Sequence, residues 1–224
     1  MAEIVPAIIP QSFEELEEKV SLMVGYVDMV SIDIVDGVFA PPKTWPYNSG
    51  DSYAFQNMLD GDQLLPYVEQ IAYELDMMVE NPLQYIEDWL QVGVSSFVIH
   101  TEACRDNAFE IVRSLKEQGK HVGIAIKPRE SIDVLEPFIS EIDFVQLMGN
   151  DNIGHNGVKL DESIYEKIHT VKERYPYVTI SIDIGVNRET APRLVEAGAT
   201  KLVSGSGIFG KEDPIEEINF YQSL

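Results

Sequence analysis

The chain has 224 residues, 45% of them hydrophobic and 24% charged, enough for one large core arranged as a single barrel or two small domains. Its 38 acidic and 16 basic residues give a net charge of −22, and no Lys/Arg cluster supplies the positive footprint that nucleic acid or an anionic membrane requires, so neither is an expected partner. Cys104 is the single cysteine, which rules out an intrachain disulfide; "MAEIVPAIIPQS" lacks a basic region ahead of its apolar run, and no run is long enough to span a bilayer, so a cytoplasmic location is expected.

In chain order, Glu3–Ile9 is the first candidate strand. A helix follows in "SFEELEEKVSLMV", where Ser12 can act as N-cap and Glu15 can complete a capping box. Met29–Asp33 is the second strand. The segment from Gly37 to Ile71, rich in Pro, Gly, Asn, Asp and aromatics, is long for a βα connection plus one helix. Its aromatics point to an ordered lid or an interface, and the chain is expected to form a homo-oligomer.

Ala72–Val79 is the third strand, and the helix in "NPLQYIEDWLQVG" places Leu83, Ile86 and Leu90 at helical spacing before Gly93 as C-cap. Strands at Ser95–His100, His121–Ile126, Asp143–Met148, Thr179–Asp183 and Lys201–Ser204 complete the set. Helical patterns lie in "NAFEIVRSLKEQGK", "DESIYEKIHTVKERY", "TAPRLVEAGA" and "DPIEEINFY". The strands are too continuously apolar to have a wet face, which is the pattern of buried parallel strands. Alternation over residues 1–224 without a linker predicts one (β/α)8 TIM barrel, with a doubly wound open sheet as the competing arrangement.

The tetrapeptide "SIDI" occurs twice, at 31–34 and 181–184, at the ends of the second and seventh strands. Alternate strand residues share a direction, so Ser31 and Asp33 face one way, as do Ser181 and Asp183. The C-terminal strand ends form the active face of such a barrel. Two carboxylates facing across it suit a general acid and a general base, or a metal site.

Glycine-bearing loops follow the last three strands: "GNDNIGHNG" (149–157), "DIGVN" and "SGSGIFG" (204–210). Backbone N–H groups clustered there, at Gly157, Gly185, Gly205 and Ser206, suit a phosphate group.

These residues resemble the ribulose-phosphate 3-epimerase family of phosphosugar-binding barrels. The likeness runs from about Ile4 to Tyr221 and is carried by "IDIVDGVF", "MVENP", "FVIHTEA", "GIAIKP", "DFVQLM" and "IDIGVNRETAPRLVEAGATKLVSGSGIF". The resemblance implies epimerisation at C3 of a ketose phosphate such as ribulose 5-phosphate, through an enediolate, with Asp33 and Asp183 as the acid–base pair. It also implies a divalent metal ion (Mg, Mn, Zn or Fe), and Met78 and Met148 on the apolar side of the pocket.

Several positions depart from the family pattern. Its two metal-binding histidines fall on Ser31 and Asp76. A hydroxyl is a poor ligand for a transition ion, so zinc affinity should be reduced, whereas Asp33, Asp76 and Asp183 would suit Mg²⁺ or Mn²⁺. Ala7 replaces a serine, Lys127 replaces an asparagine, and "DNIGHNG" replaces the usual phosphate loop and brings His155 toward the substrate pocket. Lys127 is expected within ion-pair distance of Asp76 or Asp183, offsetting the weakened metal site. His100, in the family's "FHxE" segment, reads as a satisfied core residue. The altered metal site leaves two alternatives to epimerisation: another enediolate reaction on a sugar phosphate (isomerase or aldolase-type lyase), and a non-catalytic sugar-phosphate-binding barrel.

Overall fold

Strands rich in Val and Ile, with side chains alternating between two apolar environments, can only be buried by covering both faces, and a closed barrel ringed by helices does this. The computed structural model, which describes residues 2–48, 52–104, 107–155 and 157–224, has this architecture. Its strands are β1 (Glu3–Ile8), β2 (Met29–Val35), β3 (Ala72–Met78), β4 (Ser96–His100), β5 (His121–Ile126), β6 (Phe144–Met148), β7 (Thr179–Asp183) and β8 (Lys201–Ser204). They pair in parallel in sequence order, and β8 returns to β1 to close the barrel. The open-sheet alternative is therefore excluded. Among the described residues, no helix is long and apolar enough to cross a membrane.

The helices are α1 (Phe13–Met23), α2 (Ser52–Leu59), α3 (Ile86–Gln91), α4 (Ala108–Glu117), α5 (Ile164–Arg174), α6 (Ala191–Ala197), α7 (Ser206–Phe209) and α8 (Pro214–Gln222). Ser12 caps α1 by accepting from the Glu15 N–H at 3.1 Å, while the Glu15 carboxylate accepts from the N–H of Gln11, one residue ahead of the cap. The segment around Leu83 differs from its helical reading. It divides into a 3₁₀ turn at Pro82–Gln84 and the short α3, with Ile86 and Trp89 buried and Leu83 exposed. Pro82 at the start of that turn favours the tighter geometry.

The connection across 37–71, of which residues 49–51 lie outside the described set, is pinned from both ends. Asp36 accepts from the N–H groups of Val38 and Phe39 with one oxygen and from Glu80 N–H with the other. Trp45 packs against Phe13, Phe55 and Trp89 with ring centroids 5.5–6.0 Å apart. Trp89 Nε1–H donates to the Tyr47 hydroxyl at 2.7 Å. These aromatics bury themselves against α1, α2 and α3 of their own chain, and Phe39 reaches over the barrel mouth to meet the His100 ring edge-on.

Alternation divides the interior into two regions. Val30, Ile32 and Ile34 of β2 join the annulus between barrel and helices, while Val35 joins Met78, Val98, Ala125, Phe144 and Met148 inside the barrel. The lumen also holds polar groups. Both carboxylate oxygens of Glu74 accept from Lys201 Nζ, at 2.7 and 2.5 Å, and one also accepts from Ser96 Oγ at 2.8 Å. The ammonium lies 4.1 Å from the Phe144 ring centroid, a cation–π contact. Gly123 leaves that ring its space, since a Cβ there would lie 2.2 Å from it.

This ion pair is almost fully enclosed, with side chains 5% and 1% exposed, so its two halves are energetically inseparable. Lys201→Met or Glu74→Gln alone strands a buried charge and is expected to cost about 3–5 kcal/mol. The double variant Glu74→Leu/Lys201→Met should recover most of that loss. Urea unfolding of the three variants checks this, and strictly additive single costs would contradict it.

Candidate active site

The β2 and β7 sequences place Asp33 and Asp183 on the lumen side, two residues beyond Ser31 and Ser181. Asp33 sits beside Asp76 in the β2–β3 register, and Asp183 sits beside Met148 in the β6–β7 register. Both aspartates line a cavity of about 450 Å³, open mouth included, at the C-terminal end of the barrel. Its wall continues through Met78 to a rim formed by His155, Gly157, Gly185, Gly205 and Ser206. Two carboxyls and a rim of glycine-bearing loops thus share one space. The segment 149–157 crosses residue 156, which lies outside the described residues.

The end of β7 is strained where it meets the cavity. Ile184 holds φ +74° and Gly185 φ +79°. Left-handed geometry is costly for a β-branched residue, about 1–3 kcal/mol, and such strain gathers at functional sites. A Cβ on Gly185 would lie 2.6 Å from the Leu160 nitrogen, so only glycine fits. The carbonyl of Asp183 accepts from Gly149 N–H at 2.6 Å, joining the β6 and β7 loops behind the carboxyl.

Burial and like charge push both carboxyls toward the neutral form. Asp33 is raised well above the usual carboxylate range, first by burial and then by the charges of Asp183 and Asp76, with Ser31 Oγ donating to it at 3.2 Å as a partial offset. Asp183 is pushed up to about 8, by burial first and Asp76 next.

The other expected site residues lie away from this cavity. Asp76 Oδ1 is 2.6 Å from His100 Nε2, and its Oδ2 accepts from Gln146 Nε2–H at 2.8 Å. Met148 is fully buried, with its sulfur 3.6 Å from the Gln146 amide nitrogen. Lys127 departs from expectation. Its ammonium pairs with Glu102 at 2.5 Å and sits 5.2 Å from the Phe39 ring centroid, in place of an ion pair with Asp76 or Asp183. Glu102 lies just beyond β4 and is partly exposed to solvent, and the aromatic face of Phe39 completes the cation's surroundings. His100 is the satisfied core residue expected of it. Gln146 was missed, yet it shares the inward face of β6 with Met148, so a strict two-residue period in "DFVQLM" identifies it.

The donor set decides whether these residues fit a divalent ion. Among the described residues, no group of three or more His, Cys, Asp or Glu side chains is arranged to hold a metal ion. Asp76 is turned to His100 and Gln146, and Ser31 to Asp33. Among the described residues only Asp33 and Asp183 offer carboxyl oxygens to the cavity, so the trio Asp33, Asp76 and Asp183 does not form the expected cage, and an imidazole-rich site for zinc or iron does not fit.

Comparison with known proteins gives a consistent result. The family model described as "Ribulose-phosphate 3 epimerase family" matches residues 3–209. The chain is 30% identical over 222 residues to a ribulose-phosphate 3-epimerase of Bacillus subtilis (strain 168), covering 95% of this chain and 94% of that protein. It is 29% identical to the cytoplasmic isoform of Oryza sativa subsp. japonica, covering 97% and 92%. Among solved structures, 3-hexulose-6-phosphate synthase from Salmonella typhimurium superposes with a TM-score of 0.71 at 14% identity, covering 99% and 97% of the two chains. KGPDC from Streptococcus mutans gives 0.66 at 11%, covering 100% and 96%. At such identities these two share the fold.

The raised Asp183 carboxyl has a consequence for stability. A group that holds its proton more tightly when folded makes the native state lose stability as pH rises from the unfolded value, 3.8, through the folded value, about 8. Asp183→Asn removes that loss. The variant should therefore be more stable than the parent at pH 8, with the difference shrinking toward pH 4. Thermal melts across this range check the sign, and a variant less stable at every pH would contradict it.

Proposed function

The chain belongs to the ribulose-phosphate 3-epimerase family, and we propose that it inverts C3 of a ketose phosphate, with Asp33 and Asp183 as its two proton-transfer groups. The observation that carries this reading is the placement of two buried carboxyls, from the second and seventh strands, on one cavity with a glycine-lined rim. One carboxylate takes the C3 proton from one face of the sugar, and the electron pair left behind spreads onto the C2 oxygen as an enediolate. The partner carboxyl, neutral at the start, returns a proton to the opposite face. The negative charge has then passed from one aspartate to the other, and the reverse reaction exchanges their roles.

The environment suits this division of labour. A dry lumen and mutual repulsion keep two carboxyls from ionising together, so one proton is retained for delivery while the other carboxyl is free to act as base. The phosphate would sit at Gly157, Gly185, Gly205 and Ser206, where backbone N–H groups and a hydroxyl can approach an anion, with His155 beside them. The altered metal donors favour the two alternatives, another enediolate reaction (isomerase or aldolase-type lyase) and a non-catalytic sugar-phosphate-binding barrel. Retention of both aspartates on the cavity favours epimerisation. Exchange of the C3 proton in heavy water, with no net cleavage of the sugar phosphate, separates the three.

Asp33→Asn and Asp183→Asn are each expected to lower turnover by about 10²–10⁴-fold, the usual contribution of general acid–base catalysis. Affinity for a non-reacting sugar-phosphate analogue should change far less. Steady-state kinetics with calorimetric binding checks this, and near-parental turnover in either variant would refute the assignment.

The anion rim gives a separate expectation. Inorganic phosphate should compete with a ketose phosphate, and the unphosphorylated ketose should bind much more weakly. Ser206→Ala and His155→Gln should raise KM more than they lower kcat. Equal affinity for the sugar and its phosphate would remove the rim from the site.

A further inference from the structure

The lumen matches most of its polar groups to one another, and that matching extends to the positions where the family resemblance implies a metal. Glu74 is closed off by Lys201 and Ser96. Asp76, one turn of the strand pleat higher, offers Oδ1 to His100 and Oδ2 to Gln146. The Gln146 carbonyl oxygen accepts from Ser181 Oγ at 3.4 Å. His100 and Gln146 are 2% and 1% exposed, so neither has water as an alternative partner. The chain Ser181–Gln146–Asp76–His100 therefore spans β7, β6, β3 and β4 as one buried assembly, with Asp76 as its common acceptor.

A divalent ion would have to be held by what remains. Asp76 does not line the cavity that Asp33 and Asp183 line. Drawing it inward would take the acceptor from two enclosed donors, and a buried donor left unpaired loses its full hydration without compensation. Ser31 directs its hydroxyl to Asp33. Among the described residues that leaves two carboxyls, short of the three or four N/S/O protein ligands typical of zinc; for Mg²⁺ two carboxyls make only a largely hydrated site, completed by substrate phosphate and not held as a resident ion.

We infer that Asp76 is a positioning residue, committed to His100 and Gln146, and that this chain keeps no tightly bound resident divalent ion. The ground is the commitment of the donors. The inference goes beyond the epimerase reading, and its primary readout requires no substrate.

The test begins with the full chain expressed in medium supplemented with zinc, manganese and iron, then desalted and measured by plasma mass spectrometry. Metal well below one ion per chain is expected. Titration of the chelator-treated protein with Zn²⁺, Mn²⁺ and Co²⁺ should give dissociation constants no tighter than about 10⁻⁴ M, the range of sparse oxygen sites. Co²⁺ should show none of the intense visible absorption of a tetrahedral site. Asp76→Asn should leave metal content unchanged while lowering the melting temperature, and Asp76→Glu should not restore it, because the longer side chain cannot meet both donors. One equivalent of zinc, manganese or iron surviving desalting, or micromolar binding abolished by Asp76→Asn, would overturn the inference. Failure of C3 proton exchange under every condition would instead count against the epimerase reading and leave the metal measurements intact.

Discussion

A closed eight-stranded barrel has a dry interior, so each polar side chain on its inner face must find a partner on another strand. Most features of this protein follow from how that demand is met. At the level of Glu74 and Lys201 it is met by full charge neutralisation beside an aromatic face. At the level of Asp76 it is met by two neutral-capable donors, His100 and Gln146. At Asp33 and Asp183 it is met only in part, and there the cavity opens. Polar matching therefore decreases along the barrel axis toward the mouth, and the least satisfied carboxyls are those that line the cavity.

The strands were legible in the sequence because β-branched runs with two buried faces have few other conformations, and the observed limits fall within two residues of those expected. The placement of Asp33 and Asp183 on one cavity was legible because both carboxyls sit at the C-terminal ends of their strands, and the repeat of "SIDI" marked both members. The glycine rim followed from loop order. What stayed hidden was long-range pairing. Glu74 and Lys201 are 127 positions apart, and Gln146 and Asp76 are 70 apart. Their meeting depends on the stagger of a closed sheet, which periodicity does not encode. Lys127 went astray for the same reason. Its position at the mouth was right, but Glu102 on the adjacent loop is closer than the lumen acids, and a solvated acid is the cheaper partner.

Kinship and architecture carry different weight here. The curated relatives match along nearly the full length at about 30% identity. The solved structures share the barrel at 11–14% identity, and a fold of this kind hosts many chemistries. The side chains of Ser31 and Asp76 therefore matter more than the shared architecture, because Ser31 is bonded to Asp33, a cavity carboxyl, and Asp76 is taken up by His100 and Gln146.

The closing helix has an implication for how this protein comes into being. Tyr221 reaches the Gly207 carbonyl, and Arg188 joins the loop after β7 to Glu216 and Glu217 of α8. Strand β1, made before the other seven strands of the barrel, finds one of its two neighbours only in β8. During vectorial synthesis its outer edge must wait, unpaired, until β8 has left the ribosome, a sticky template for other nascent chains. The glycine-bearing rim gains its supports later still, with α8. A chain in which α8 has not yet docked would leave the loops after β7 and β8 without these contacts, although the two aspartates on their strands were made earlier.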